Sequence, residues 1–109
     1  MASPRSTRDI LIQTDRPDEA RAFYEGVLDF AVFQDDPNMR GLETGAFRLF
    51  LDPGPPLGPV LEVLVDDLAA AKAKLLAAGC VVEQEDPAIP RCYVRDPFGL
   101  IFNLGQRSG

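Results

Sequence analysis

Arg91-Cys92-Tyr93-Val94-Arg95-Asp96-Pro97-Phe98-Gly99-Leu100-Ile101-Phe102-Asn103-Leu104-Gly105 reads as strand, tight turn, strand. Asp96 can fold its carboxylate onto nearby backbone N–H groups. Pro97 presets φ at the second turn position, and Gly99 accepts the positive φ that a turn exit needs. The flanking runs are apolar, aromatic and β-branched, which suits strands. A turn followed by so apolar a strand implies a final strand inside a sheet. What that strand carries at Asn103 decides much of the functional reading.

Upstream of this stretch the same order of elements occurs twice. Asp9 to Thr14 is a short strand with Ile10 and Ile12 on one face and Asp9, Leu11 and Gln13 on the other. Asp15-Arg16-Pro17-Asp18 starts a helix, with acidic residues at the positive end of its dipole and Pro17 in the first turn. Ala20, Phe23, Tyr24, Val27 and Leu28 form its apolar stripe, and Phe23 and Tyr24 read as core; Arg21 and Glu25 face water. Strands follow at Phe30–Gln34, Met39–Thr44 and Ala46–Leu51. Val60–Val65 then begins the order again: strand, a helix capped by Asp66 and Asp67 and stopped by Gly79, then strands from Cys80 and from Arg91. In the second helix Leu68, Ala71, Leu75 and Ala78 make the stripe, with Lys72 and Lys74 solvated.

The repeat predicts an α+β fold of two tandem βαβββ modules. They form a curved, mostly antiparallel eight-stranded sheet or open barrel around a cavity, with one helix per module. The expected boundaries are a flexible lead-in at 1–8 and a single domain at 9–106. That domain divides into module one at 9–52, a Pro/Gly linker at 53–59 and module two at 60–106, with a tail at 107–109.

Composition narrows the function. The chain has 109 residues, enough for one domain, and a net charge of −6 from 11 basic and 17 acidic residues. No basic stripe is present, which argues against nucleic acid. No apolar run reaches the length of about 18 residues needed to span a membrane, and the polar start lacks a signal-peptide core, so a cytoplasmic location is expected. There is no histidine. Its absence removes Ser-His-Asp and Cys-His constellations and imidazole-based zinc sites. Cys80 and Cys92, without CxxC spacing, read as buried reduced thiols.

Three segments resemble the glyoxalase I, bleomycin-resistance and extradiol-dioxygenase superfamily, the vicinal oxygen chelate proteins. Phe23-Tyr24-Glu25-Gly26-Val27-Leu28-Asp29-Phe30 is similar to the family's FYxxvLGF segment, with Asp29 where Gly is common. Val63 to Leu68 is similar to its FxVxDL opening, and Arg95 to Leu104 to its DPxGNxxEL ending. The resemblance implies inward-facing metal ligands on the first and last strand of each module. Carried over, they fall on Asp9, Phe50 (with Leu49 as the alternative), Val60 and Asn103. Two of these are apolar, and Asn103 stands where the family pattern has Glu. The resemblance therefore implies the fold without the metal set: no metal site and no cofactor are expected.

Alternation gives a ligand-cavity set of Asp9, Leu11, Gln13, Arg48, Phe50, Val60, Glu62, Leu64, Ile101 and Asn103. Glu62 is the one candidate for a catalytic role, as a proton acceptor, or it binds a cationic ligand; otherwise it is a rim carboxylate or the partner of Arg48. Arg48 either clamps an anion or neutralises Glu62. Cys92 reads as an inert core thiol, and the faces of Cys92 and Tyr93 stay open. The leading expectation is a metal-independent small-molecule-binding protein, sequestering a drug or metabolite in the manner of the bleomycin-resistance branch, and a homodimer. The alternatives are a lyase, isomerase or oxygenase using Asp9, Glu62 and Asn103 around a hard cation or Glu62 as base, and a non-catalytic interaction module.

Overall fold

The computed structural model describes residues 3–107. It contains eight strands and two helices among these residues: β1 (Arg5–Thr14), α1 (Pro17–Leu28), β2 (Ala31–Asp36), β3 (Met39–Glu43), β4 (Arg48–Pro53), β5 (Leu57–Val65), α2 (Leu68–Ala77), β6 (Val81–Asp86), β7 (Arg91–Arg95) and β8 (Ile101–Gln106). The chain divides into two compact units, one of residues 8–59 and the other of residues 60–107 with 3–7. Each is a βαβββ module, as the repeat predicts.

The first module orders its strands β2-β3-β4-β1, with β4 parallel to β1 and the other pairs antiparallel. The second repeats this as β5-β8-β7-β6 with β8 parallel to β5. Even the irregularities match. Each outer hairpin carries a β-bulge, between Val32 and Gln34 and between Val82 and Gln84, leaving Phe33 and Glu83 as the extra residues.

Each helix covers one sheet face. In the second module Val65, Cys80, Cys92, Val94, Phe102 and Leu104 are buried, and Leu68, Ala71 and Leu75 of α2 pack against them. The first module has a smaller centre of Leu42, Leu49 and Leu51, completed by Ile12, Ala20, Tyr24, Phe30, Val32 and Phe47. Both cysteines are buried and free. Asp67 caps α2 by accepting the Ala70 N–H at 3.1 Å. The opening turn is as expected: Asp96 accepts the N–H groups of Phe98 and Leu100, each at 2.9 Å, and Gly99 has φ 102°.

Several expectations are corrected. The lead-in is strand from Arg5 onward, and Arg8 is held by Glu43 at 2.7 Å and by the Gly45 carbonyl at 2.9 Å. Residues 5–8 are polar, so backbone pairing and not apolar alternation makes them extended. Leu57-Gly58-Pro59, read as linker, opens β5, and the bend is confined to 54–56. Arg107 is no tail residue: its N–H donates to the Val65 carbonyl at 2.7 Å and its guanidinium pairs with Asp66 at 2.8 Å. The expected tail residues 108–109 lie outside the described residues.

On α1 the stripe is turned. Phe23, Val27 and Leu28 are exposed, so Phe23 is not core. The inward positions are Ala20, Arg21 and Tyr24, because Arg21 swings toward the sheet to meet Asp35 at 3.3 Å and Tyr24 stacks on Phe30. Lys72 is likewise pinned to Glu85 at 2.7 Å. At the end of α1, Asp29 adopts φ 62°, the left-handed conformation that glycine takes most easily.

Candidate functional site

Strand alternation fixes which side chains leave the helix-covered face. In the first module Ile12, Leu49 and Leu51 point to α1, so the cross-strand pairs Asp9–Arg48, Leu11–Phe50 and Gln13–Asp52 share the opposite face. In the second, Leu61, Val63 and Phe102 point to α2, and Val60–Ile101, Glu62–Asn103 and Leu64–Gly105 share the other. All ten predicted cavity residues thus lie on the faces turned away from the helices. Gln13, Val60 and Ile101 are buried there and the rest are half-buried.

In the first module Asp9 and Arg48 form a two-point ion pair: Arg48 Nε and Nη2 donate to the two Asp9 oxygens at 2.7 and 2.8 Å. Asp9 pushes the Arg48 pKa above its ordinary value. The expected alternative, Arg48 neutralising Glu62, is not the arrangement found. The Arg48 guanidinium also lies over two rings, 5.6 Å from Phe33 and 5.4 Å from Phe50, and those rings meet edge to face at 5.7 Å. Gly41 makes this possible, since a Cβ there would stand 2.7 Å from Phe33 Cζ and 3.1 Å from Phe50 Cε1. Sequence reasoning missed Phe33 and Gly41. Strict alternation through β2 fails at the bulge, and the signal that remained was an aromatic followed by a glycine on the neighbouring strand.

In the second module Asn103 is the hub. Its Nδ2 donates to Glu62 Oε2 at 2.9 Å, and its Oδ1 accepts the Cys92 N–H at 2.8 Å. Leu64 and Gly105 close in beside this pair; a Cβ on Gly105 would lie 3.0 Å from Leu64 Cδ2. Register settles the two open orientations. Tyr93 stands opposite Asn103 and shares its face, with the Arg91 guanidinium 4.9 Å from its ring centre. Cys92 points to the α2 side and is buried, and burial pushes its thiol pKa up. That agrees with an inert core thiol.

A family model described as Glyoxalase-like domain matches residues 9–105, nearly the whole of both modules. The chain belongs to this glyoxalase-like family. No curated protein matches it. Among solved structures, it is similar to a Mn(II)-bound glyoxalase from Novosphingobium aromaticivorans (22% identity, TM-score 0.60, covering 95% of this chain and 40% of that one). It is also similar to homoprotocatechuate 2,3-dioxygenase from Brevibacterium fuscum (21%, 0.63, 97% and 38%). A glyoxalase/bleomycin resistance protein/dioxygenase superfamily member from Vibrio splendidus matches over 96% of this chain and 100% of its own, at 18% identity and TM-score 0.57. The chain thus spans well under half of the first two proteins. At these identities the likeness establishes the fold.

The metal that the family resemblance implies does not fit the residues present. In the first module Asp9 already gives both oxygens to Arg48, and Phe50 has no donor atom. In the second Val60 has none either, and the one carbonyl oxygen of Asn103 is committed to a backbone N–H. An amide oxygen is in any case a weak ligand for a transition metal. Among the described residues no group of three or more His, Cys, Asp or Glu side chains is placed to hold an ion.

Proposed function

We propose that this glyoxalase-like protein binds a small molecule without a metal, sequestering a drug or metabolite against the sheet faces that carry the ten residues named above. One observation carries the reading: Asn103, at a position where the family pattern has a ligating carboxylate, spends its oxygen on Cys92 N–H and its amide on Glu62. What these faces offer instead is apolar area with a few oriented polar groups, the usual make-up of a small-molecule site. The face of the first module carries Leu11, Phe33 and Phe50, and that of the second, by itself, carries Glu62 beside Leu64.

A thermal-shift screen of metabolites, antibiotics and divalent metals tests this, because a ligand of the native state raises stability by mass action. The expected result is a saturating rise with an organic ligand that survives exhaustive chelation. A stoichiometric divalent ion in the purified protein, with ligand binding lost on its removal, would sink the reading.

A second reading treats Glu62 as a proton acceptor. It is favoured by the hydrogen bond from Asn103, which fixes one carboxylate oxygen and orients the other. Glu62→Gln separates the two: it abolishes turnover with little loss of affinity under the second reading, and changes affinity alone under the first. The proposal includes a homodimer, for which the exposed Phe23, Val27 and Leu28 offer apolar surface. Light scattering on the purified chain reports its mass directly.

A further inference from the structure

The matched registers let each side chain of one module be compared with a position in the other. Asp35 stands opposite Arg40 in the first, and Glu85 opposite Cys92 in the second, on the same rung of the outer hairpin. On both rungs a helix cation reaches the carboxylate: Arg21 lies 3.3 Å from Asp35, and Lys72 2.7 Å from Glu85. The third member differs. Arg40 runs between helix and hairpin with its Nε 3.7 Å from Asp35 and its Nη2 2.5 Å from Asp18. Asp35 therefore stands between two guanidinium groups. Cys92 is shorter and uncharged: its thiol donates a hydrogen bond to Glu85, and Lys72 is the one cation of the described residues that Glu85 meets.

The second hairpin is also longer, turning through Pro87-Ala88-Ile89-Pro90 where the first turns through Pro37-Asn38. A short side chain and a longer turn leave a cavity of about 210 Å³. Its apolar walls are Leu68, Pro87, Pro90, Cys92 and Leu104; Arg91 and Gln106 also border it, and Glu85 is the one carboxylate. It lies on the α2 side of the sheet, because Cys92 and Leu104 belong to the core there.

We propose that this cavity binds a small amphipathic cation, a short apolar chain ending in a guanidinium or ammonium group, in the place that the Arg40 side chain takes in the first module. The chain packs on Leu68, Leu104 and the two prolines. The head shares Glu85 with Lys72, as Arg21 and Arg40 share Asp35. Lys72 holds the Glu85 pKa below its ordinary value, so the carboxylate is charged at neutral pH. Arg91 borders the cavity, but its guanidinium is turned over the Tyr93 ring, 4.9 Å from the ring centre, on the other face. The position matching Asp18 is Ala69, so Glu85 supplies the anionic contact by itself.

Titration of the intact protein with n-propylguanidine, against sodium chloride at equal ionic strength, tests the site. The expected result is a saturating rise in melting temperature, weakened about tenfold or more in Glu85→Gln and abolished in Cys92→Arg, which fills the cavity from within. In the unaltered protein the probe slows methylthiolation of Cys92 and leaves Cys80 unaffected, a readout that needs no variant. A shift that never saturates, a shift unchanged in Glu85→Gln or Cys92→Arg, or a Cys92 labelling rate indifferent to the probe overturns the proposal.

Discussion

On one and the same rung, Leu11 and Phe50 of the first module stand where Glu62 and Asn103 stand in the second. Gly41 of the first corresponds to Tyr93 of the second, each opposite the last-strand residue of that rung. The backbone is repeated down to the bulge, yet one sheet face presents edge-to-face rings under a two-point ion pair and the other an amide-held carboxylate. The difference teaches that register and chemistry are separable here. The helix-facing residues stay apolar in both modules because they fill a core, while the opposite rows are free to diverge.

The comparison breaks most visibly through the cores. Leu51 and Leu104 are both buried, and truncating either to Ala removes about 3 kcal/mol of stability by urea denaturation. Leu104→Ala loses the more, since a larger set of buried residues surrounds it. A larger loss from Leu51→Ala would show that the small first core is the better packed. Next comes the rung itself. Asn103→Leu strands the Cys92 N–H and one Glu62 oxygen and costs about 1–3 kcal/mol, whereas Phe50→Leu on the matching position costs less than about 1.5 kcal/mol. Equal losses would mean that Asn103 is replaceable and its hydrogen bonds incidental.

Smaller effects come from the helix ends and the surface. Asp29 holds φ 62° where the second module has Gly79 at φ 102°. Asp29→Gly gains about 0.5 kcal/mol in thermal unfolding. The reverse change, Gly79→Asp, loses stability, and its new Cβ meets Pro97 Cγ at 3.3 Å. The smallest effect is acid sensitivity. The Arg8 hydrogen bond, with the Gly45 N–H, lowers the Glu43 pKa from 4.5 to about 2. A carboxylate with a depressed folded-state pKa adds stability that is complete above its unfolded pKa and disappears as pH falls through the folded value. Denaturation midpoints therefore fall between about pH 5 and about pH 2, and Glu43→Gln flattens part of that slope; an unchanged slope would remove Glu43 from the account.

The sequence made the fold legible because two different periods, of strand and of helix, recur in the same order, and because Asp96 and Gly99 announce their turn. The face assignment of the ten site residues followed from alternation alone. Alternation within β7 could not place Cys92 and Tyr93, since their faces follow only from the pairing of β7 with β8, where Tyr93 stands opposite Asn103. It could not choose a partner for Arg48 either, as Asp9 becomes its neighbour only once β4 lies parallel to β1. Phe23 was misjudged because helical spacing allows a stripe through 20, 23 and 27 as readily as one through 20, 21 and 24. The Arg21–Asp35 pair decides between them.

The bulges at Phe33 and Glu83 have a use of their own. Each inserts a residue that no ladder partner constrains, at an edge, while the flanking pairs hold the hairpin in step. Phe33 spends that liberty on an aromatic contact and Glu83 on an ion pair with Arg95. The bulge is thus a socket in the scaffold, a place where the protein can exchange one kind of side-chain contact for another without renegotiating its fold. Variation at these two positions would change which groups the sheet edge presents while leaving the ladder that folds it alone.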